Sequence, residues 1–316
     1  MSASWSLDEV GDLTGFVAVV TGANSGLGFE TTKALRSKGA LVIMACRNEA
    51  KATAAVDSLA QAGPGPTPEV EILDLEDLDS VRSAAAKIAA RHPSIDLLVN
   101  NAGIMGVRGP DGATRQMNAN HLGHVALTAA LLPALEQAGG RIVMVSSNLH
   151  RQGKLSVEHP IDVSTQSPNG AYGSTKLANL VFSFEADRRL RDAGSSVSIR
   201  AAHPGWSRSG LAAGATEGRS TLSKRIGTFA GAHLGQRTER GALPTLRAAL
   251  DPSIPPGGYV GPDGIMEMWG DPVPVGCSRL ASDERLGAAV FDASIAATGS
   301  AWPGSPASRS THQDPA

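Results

Sequence analysis

Two side chains in the sequence, Tyr172 and Lys176, are of the types that move protons. They stand four residues apart in the stretch Tyr-Gly-Ser-Thr-Lys, and the apolar spacing over 177–191 predicts a helix that carries both on one face. A phenol is a poor base at neutral pH because its ordinary pKa is about 10, and a nearby ammonium favours the phenolate. The pair therefore predicts a general acid/base whose pKa is lowered toward the working pH.

Polar groups at the ends of two predicted strands indicate the same region. Ser147 follows the apolar run 141–145, and the turn Asn101-Ala102-Gly103 follows the run 95–99. Either could be an ordinary strand-ending turn, and a Tyr–Lys pair at helical spacing also occurs by chance. However, the carboxyl ends of parallel strands meet at one edge of a sheet, where ligands bind. Together these residues predict a single site.

A glycine-rich turn follows the first apolar run, 16–20, and opens the first predicted helix. Gly22 would permit the tight turn, Gly26 would let backbone approach a pyrophosphate, and Gly28 would let helix and strand pack closely. The helix N-terminus offers free amides and the positive end of its dipole to phosphates. This context predicts dinucleotide binding by the turn, whose other members include Asn24, Ser25 and Leu27.

The end of the second predicted strand indicates which dinucleotide is bound. An NAD-dependent protein usually has an acid about 20 residues after the glycines, where it accepts a hydrogen bond from the ribose 2′-OH. Here Arg47 occupies that region, and no acid precedes Glu49. A guanidinium matches the geometry of a 2′-phosphate; the alternative is a solvated surface arginine. The position predicts NADP(H) rather than NAD(H).

Apolar runs and helical stretches alternate along the chain. The strand-like runs lie at 16–20, 41–45, 70–73, 95–99, 141–145 and 197–201. Such alternation predicts an α/β fold with a doubly wound parallel sheet of about seven strands and helices on both faces. No break in composition divides the series, so residues 1–298 are predicted to form a single three-layer domain.

Two segments interrupt this alternation at the carboxyl edge of the sheet. Residues 148–170 are polar and rich in turn formers, and residues 205–240 are rich in Gly, Ser and Thr. Because ligands bind at this edge, we expect substrate loops rather than simple surface loops. The last residues, 299–316, are rich in Ser, Pro and Ala without periodicity, which predicts a disordered C-terminal tail.

Composition narrows the class of protein. The chain has 316 residues and a formal net charge of -2, so no basic field indicates a nucleic-acid partner. Cys46 and Cys277 stand in no paired or metal-type spacing, which argues against a disulfide framework or a metal site and fits a reducing cytoplasm. No apolar run approaches the roughly 18 residues that span a bilayer, and residues 1–15 lack the apolar run of a signal peptide. A cytoplasmic protein without a membrane span is expected.

Over about residues 14–270 the chain resembles the short-chain dehydrogenase/reductase family, whose members have the Rossmann fold. The matching motifs are Thr21-Gly22-x3-Gly26-x-Gly28, Asp74-Leu75, Asn101-Ala102-Gly103, Asn120, Ser147, Tyr172-x3-Lys176 and Pro204-Gly205. The resemblance implies hydride transfer between a nicotinamide and an alcohol or carbonyl carbon. In that reaction Tyr172 would donate or accept the proton and Lys176 would also hold the nicotinamide ribose. Ser147 would orient the substrate oxygen, and Asn120 would position a water in the proton relay.

The resemblance also implies which residues contact the cofactor beyond the glycine turn. Those expected beside the adenosine are Asp74, Leu75 and Asn101, with Ala102 and Gly103 following. Those expected beside the carboxamide are Pro204, Gly205, Ser207 and Ser209.

Within the family, the segments 44–48 and 174–180 and the long gap between Ser147 and Tyr172 resemble the retinol-dehydrogenase-like branch. A weaker similarity to light-dependent protochlorophyllide reductases, over 21–28, 44–48 and 78–82, leaves an NADP(H)-dependent C=C reductase open. A non-catalytic dinucleotide-sensing regulator is the other alternative. Family members often pair through helices corresponding to 120–138 and 172–192, which predicts a homodimer; alternatively, these faces pack only on the sheet.

Overall fold

The computed structural model describes residues 5–206 and 236–303. Within them, eight strands form one sheet in the order β3-β2-β1-β4-β5-β6-β7-β8. The strands are β1 Val17–Thr21, β2 Leu41–Cys46, β3 Glu69–Ile72, β4 Leu97–Asn100, β5 Arg141–Val145, β6 Ser198–Ala202, β7 Tyr259–Pro262 and β8 Pro272–Pro274. The strand order reverses between β1 and β4, which leaves a crevice outside their carboxyl ends.

Helices cover both faces of this sheet. On one face lie α1 Gly26–Ser37, α2 Glu49–Gln61 and α7 Thr238–Leu250; on the other lie α3 Leu78–Arg91, α5 Gly123–Ala138, α6 Pro168–Asp192 and α8 Glu284–Thr298. The residues of β1 alternate between the two cores, because Val19 packs on one side and Ala18 and Val20 on the other. The predicted three-layer α/β fold is confirmed.

A short helix and a π-helical turn precede α5. The helix, α4, spans Gly112–Met117, and the π-helical turn spans Asn118–Leu122. A π turn is rare and is frequently found at functional sites. Asn120 lies within it.

The sheet differs from the prediction at one edge. The seven strands β1–β7 run parallel, but β8 adds an antiparallel pairing to β7, with Gly261 opposite Val273. With three residues, two of them prolines, β8 is too short to produce a recognisable apolar pattern. The predicted loop 205–240 also ends earlier than expected, because residues 238–240 form the first turn of α7.

The predicted boundary after residue 298 is too early. Trp302 is 1% exposed and packs edge-on against Phe182 of α6 and Phe291 of α8, with ring centroids 5.9 and 5.4 Å away. An indole buried in this way belongs to the core rather than to a tail. Residues 304–316 lie outside the described residues.

The apolar faces that predicted a homodimer are covered by the chain itself. Helix α5 packs against α3, and α6 packs against α8, with Phe182 and Phe291 stacked 5.3 Å apart. These faces therefore no longer indicate a dimer by themselves. Across 5–206 and 236–303, the structure contains no helix that is both long and apolar enough to cross a membrane.

Candidate active site

A cavity of about 810 Å³ opens at the carboxyl edge of the sheet, beside the turns that follow β1 and β4. Of the residues predicted to bind a cofactor, nine line it: Gly22, Asn24, Ser25, Gly26, Leu27, Arg47, Asn101, Ala102 and Gly103. They come from three separate stretches of sequence, which the parallel strand order brings to one edge.

The turn after β1 has the shape that a pyrophosphate requires. Gly22 and Gly26 have φ values of +65° and +57°, which residues with a Cβ rarely adopt. A Cβ on Gly28 would stand 2.5 Å from the Gly22 carbonyl oxygen, so only glycine lets α1 pack this close. Ser25, at the N-cap of α1, makes no side-chain capping bond, which leaves the first amides of α1 open to a ligand. The residues present fit a dinucleotide.

A buried hydroxyl ties the two turns together. Thr21 Oγ1 accepts hydrogen bonds from the amides of Asn101 and Ala102, both at 2.9 Å. The side chain of Asn101 donates to the Thr21 carbonyl at 2.8 Å. His124 Nε2 lies 2.9 Å from the same hydroxyl. Thr21 begins the glycine motif, but neither it nor His124 was given a role from the sequence, since nothing in the local sequence links positions 103 apart.

At the adenosine end, the structure adds charged residues that sequence reasoning missed. Lys51, Glu76, Arg108 and Arg115 line the cavity together with Arg47. Hydrogen bonding to Arg115, with help from Arg47, holds the pKa of Glu76 below its ordinary value against the opposing effect of burial. The only signal available was that Glu76 follows the Asp-Leu motif.

The predicted adenine neighbours, Asp74 and Leu75, do not line the cavity. Asp74 accepts a hydrogen bond from the Glu76 amide at 3.0 Å. Leu75 is 8% exposed and packs in the core beside Gly123. Asp74 and Leu75 therefore stabilise the turn that carries Glu76.

The chemical end lies on α6 beside β5. Tyr172 and Lys176 are 7% and 3% exposed, and Lys176 Nζ lies 5.7 Å from the centre of the Tyr172 ring. The ammonium donates to the Val145 carbonyl at 2.9 Å. Burial lowers the pKa of Lys176 to about 8.

The predicted direction of the Tyr172 pKa is wrong. Burial raises the pKa of Tyr172 to about 12, and a hydrogen bond with Ser147 lowers it only in part. Desolvation of the phenolate is the larger of these two effects. Tyr172 is therefore a neutral phenol at neutral pH and holds a proton to give.

Asn120 is locked between two parts of the site. Its Oδ1 accepts from the Ile104 amide at 2.7 Å, and its Nδ2 donates to the Ile104 carbonyl and to Thr175 Oγ1. Its own carbonyl accepts from His124 Nδ1 and from Asn179 Nδ2, both at 3.0 Å. Every polar atom of this side chain, and its carbonyl, already has a protein partner. Placement of a relay water by Asn120 stays a prediction.

The histidines near the site are structural. His121 and His124 are fully buried, and burial lowers their pKa values to about 4 and about 3. His124 donates from Nδ1 to a carbonyl and accepts at Nε2, which is the pattern of a neutral ring. Within the described ranges, no group of three or more His, Cys, Asp or Glu residues could hold a metal ion.

The segment after β6 is described only at its start. Gly205 has φ +64°, and a Cβ there would lie 2.6 Å from the Met268 carbonyl oxygen. The Pro204 carbonyl accepts from Gln236 Nε2 at 2.7 Å. Neither residue lines the cavity. Ser207 and Ser209, with most of the predicted loop 205–240, lie outside the described residues.

Fold and site together define a dinucleotide-binding α/β protein with a Tyr–Lys pair beside the nucleotide cavity. The chain belongs to the short chain dehydrogenase family, whose profile matches residues 16–220. The predicted family is confirmed.

The curated relatives include several retinol dehydrogenases. Retinol dehydrogenase 14 of Mus musculus is 39% identical over 217 residues, which cover 64% of this chain and 64% of that protein. Dehydrogenase/reductase SDR family member 13 of Bos taurus is 40% identical over 202 residues, 61% of this chain and 52% of the relative. The chain thus spans less than two thirds of the length of these relatives.

Solved structures agree with the fold. An uncharacterized protein from Mycobacterium Paratuberculosis is 36% identical, with a TM-score of 0.76 over 95% of this chain and 100% of that chain. A short chain dehydrogenase from Shigella flexneri, complexed with NADP, is 25% identical, with a TM-score of 0.59 over 78% of this chain and 95% of its own.

Proposed function

We propose that this chain is an NADP(H)-dependent oxidoreductase that interconverts an alcohol with an aldehyde or ketone. The family membership and the retinol dehydrogenases among the relatives support oxidoreduction at this kind of carbon. Arg47 at the cavity rim, and an NADP complex among the similar structures, support the 2′-phosphorylated cofactor.

One observation carries this proposal: the proton-handling pair adjoins the nucleotide cavity. Gly103 lines that cavity, and a Cβ on Gly103 would lie 3.6 Å from Lys176 Nζ and 3.3 Å from Asn120 Oδ1. A dinucleotide whose pyrophosphate lies on the glycine turn would therefore extend toward Lys176. The nicotinamide supplies the hydride when it is bound.

The proton-transfer step follows from the protonation state of Tyr172. Its neutral phenol would donate a proton to the substrate oxygen as a carbonyl is reduced, and Ser147 would hold that oxygen by its hydroxyl. Lys176, an ammonium below about pH 8, would bind the ribose hydroxyls and favour the phenolate that forms. Because burial keeps Tyr172 protonated, the residue begins a carbonyl reduction in the state that can donate a proton.

Binding of NADPH and NADH to the purified protein, followed by fluorescence titration, tests the proposal. We expect tighter binding of NADPH, and the Arg47→Asp variant should abolish or reverse that preference. The control is Arg285→Asp, because Arg285 is exposed, lies outside the cavity and stands in the first turn of α8, where an acid is tolerated. If neither NADPH nor NADH binds to the protein, the proposed function is overturned.

Two further properties stay predictions. The predicted cytoplasmic location is based on composition. The predicted homodimer is based on the pairing that is common among family members. Sedimentation of the full chain tests the dimer, because a single species of about 32 kDa, the mass of one chain, would contradict it.

A further inference from the structure

The adenosine end of the cavity contains an ion pair that joins three side chains. Glu76 Oε2 accepts from Arg115 Nε at 2.7 Å, and its Oε1 accepts from Arg115 Nη2 at 3.2 Å. The same Oε1 accepts from Arg47 Nη1, also at 3.2 Å. One carboxylate therefore holds two guanidinium groups, one from the segment after β2 and one from α4.

The charges around this carboxylate are unbalanced. Among the described residues, Glu76 is the one acid that lines the cavity, whereas Arg47, Lys51, Arg108 and Arg115 are four cations in the same lining. Asp74, outside the lining, lies 4.0 Å from Arg47 Nη1. The surplus of positive charge suits a ligand with more negative charge than a pyrophosphate alone provides.

Stability does not account for the arrangement. The side chains of Arg47 and Arg115 are 60% and 50% exposed, and exposed ion pairs contribute only ~0–1 kcal/mol to folding. Guanidinium groups held this weakly remain available to a dianionic phosphate, which they bind through paired N–H donors.

We propose that Glu76 sets the selectivity of the site between a 2′-phosphate and a 2′-hydroxyl, and that Arg115 is a second phosphate-binding residue beside Arg47. This inference rests on the proposed function. A 2′-phosphate that binds here must replace Glu76 as the hydrogen-bond partner of both guanidinium groups. It then lies near the negative charge of the Glu76 carboxylate. A 2′-hydroxyl instead donates a hydrogen bond to the carboxylate. Glu76 therefore reduces the preference for NADP(H) that the two arginines create.

The test uses 2′,5′-ADP and 5′-AMP as probes, because they differ only in the 2′-phosphate and do not reach the chemical end. Their Kd values are measured by calorimetry on the full chain. Glu76→Gln should bind 2′,5′-ADP about 3–10-fold more tightly and 5′-AMP equally or more weakly. Arg115→Gln should bind 2′,5′-ADP about 3–10-fold more weakly and leave 5′-AMP within about twofold.

Glu49→Gln is the matched control. Glu49 is exposed in the first turn of α2, lies two residues from Arg47, and forms no ion pair with the residues described in 5–206 and 236–303. The Glu49→Gln variant loses the same charge as Glu76→Gln. We expect its Kd values for both probes to equal those of the parent. Thermal midpoints measured alongside establish that each variant is folded.

Three results would overturn the inference. Weaker binding of 2′,5′-ADP by Glu76→Gln would mean that the carboxylate only positions the arginines, and equal losses for both probes in Arg115→Gln would remove its phosphate role. Failure of the proposed function is different, because the parent would then show no preference for 2′,5′-ADP over 5′-AMP. A parental preference that Arg47→Asp abolishes and Glu76→Gln leaves unchanged overturns this inference alone.

Discussion

The two ends of the site differ in how deeply their side chains are buried and in the contacts that hold them. At the chemical end, Tyr172, Lys176 and Asn120 are at most 7% exposed and are held by hydrogen bonds to backbone and side chains. At the adenosine end, Arg47 and Arg115 are at least half exposed and meet in an ion pair around Glu76.

This difference separates what each end controls. Buried polar groups with several partners keep one geometry, because breaking any bond leaves an unsatisfied group away from water. Exposed ion pairs rearrange readily and are screened by salt. We therefore expect the chemical end to govern turnover and the pH dependence of stability, and the adenosine end to govern affinity.

The largest expected effect is at Tyr172. Tyr172→Phe removes the proton and keeps the ring, so turnover should fall by about 10²–10⁴-fold, the usual scale of general acid–base catalysis. The Kd for NADPH should stay within about threefold, because the phenol makes no contact at the adenosine end. Stopped-flow and titration measure the two quantities. Unchanged turnover would remove Tyr172 from the proposed mechanism.

The next effect is loss of stability in acid. His121 and His124 have folded-state pKa values of about 4 and about 3, below the 6.5 of an unfolded histidine. As the pH falls below 6.5 the unfolded chain binds protons that the folded protein does not, so the free energy of unfolding falls. Each ring lowers the free energy of unfolding by ~1.4 kcal/mol for each unit that the pH falls, down to about pH 4.

Urea titrations between pH 7 and 4.5 measure this slope. His121→Gln keeps a polar group that can hydrogen-bond to Asn179 and Ser294 but cannot titrate, so its slope should be smaller than that of the parent. His159→Gln, at an exposed position, should match the parent. Equal slopes in all three proteins would contradict the neutral, buried state of His121.

Lys176 produces a dependence of the same sign on the alkaline side. Its folded-state pKa of about 8 lies below the ordinary value of 10.5, so between these pH values the unfolded chain holds a proton that the folded protein has lost. Its contribution to the free energy of unfolding therefore rises with pH, by ~2 kcal/mol between pH 8 and 10.

The contribution of Lys176 is isolated by comparison with Lys176→Met. The variant keeps the length and apolar stem of the side chain, so the parent should gain stability relative to it as the pH rises from 8 to 10. Lys33→Met, on the partly exposed surface of α1, should show no such difference. A constant gap between parent and Lys176→Met would mean that Lys176 titrates normally.

Much of the fold could be predicted because its signals are local. Parallel strands covered on both faces read as continuous apolar runs, and the runs at 41–45 and 141–145 fall within β2 and on β5. The glycine turn and the spacing of Tyr172 and Lys176 are likewise contained in a few consecutive residues. These patterns sufficed for the fold class and the family.

What could not be predicted depends on contacts between distant parts of the chain. The bond from Arg115 to Glu76 spans 39 residues. The pKa of Tyr172 rises because the folded core removes water from the phenol, which spacing alone does not reveal. Trp302 did offer a signal, since a large apolar ring in a stretch of small residues indicates an anchor to the core.

The smallest expected effect is the salt dependence of the adenosine end. Raising NaCl from 0.1 to 1 M shortens the screening length from about 10 to about 3 Å, so the Kd for NADPH should rise about 3–10-fold and that for NADH by less. Turnover at saturating NADPH should change less than about twofold, because Tyr172 and Lys176 are shielded from bulk ions. If salt lowered turnover as strongly as affinity, the two ends would not be independent, and the contrast between a buried chemical end and an ionic adenosine end would fail.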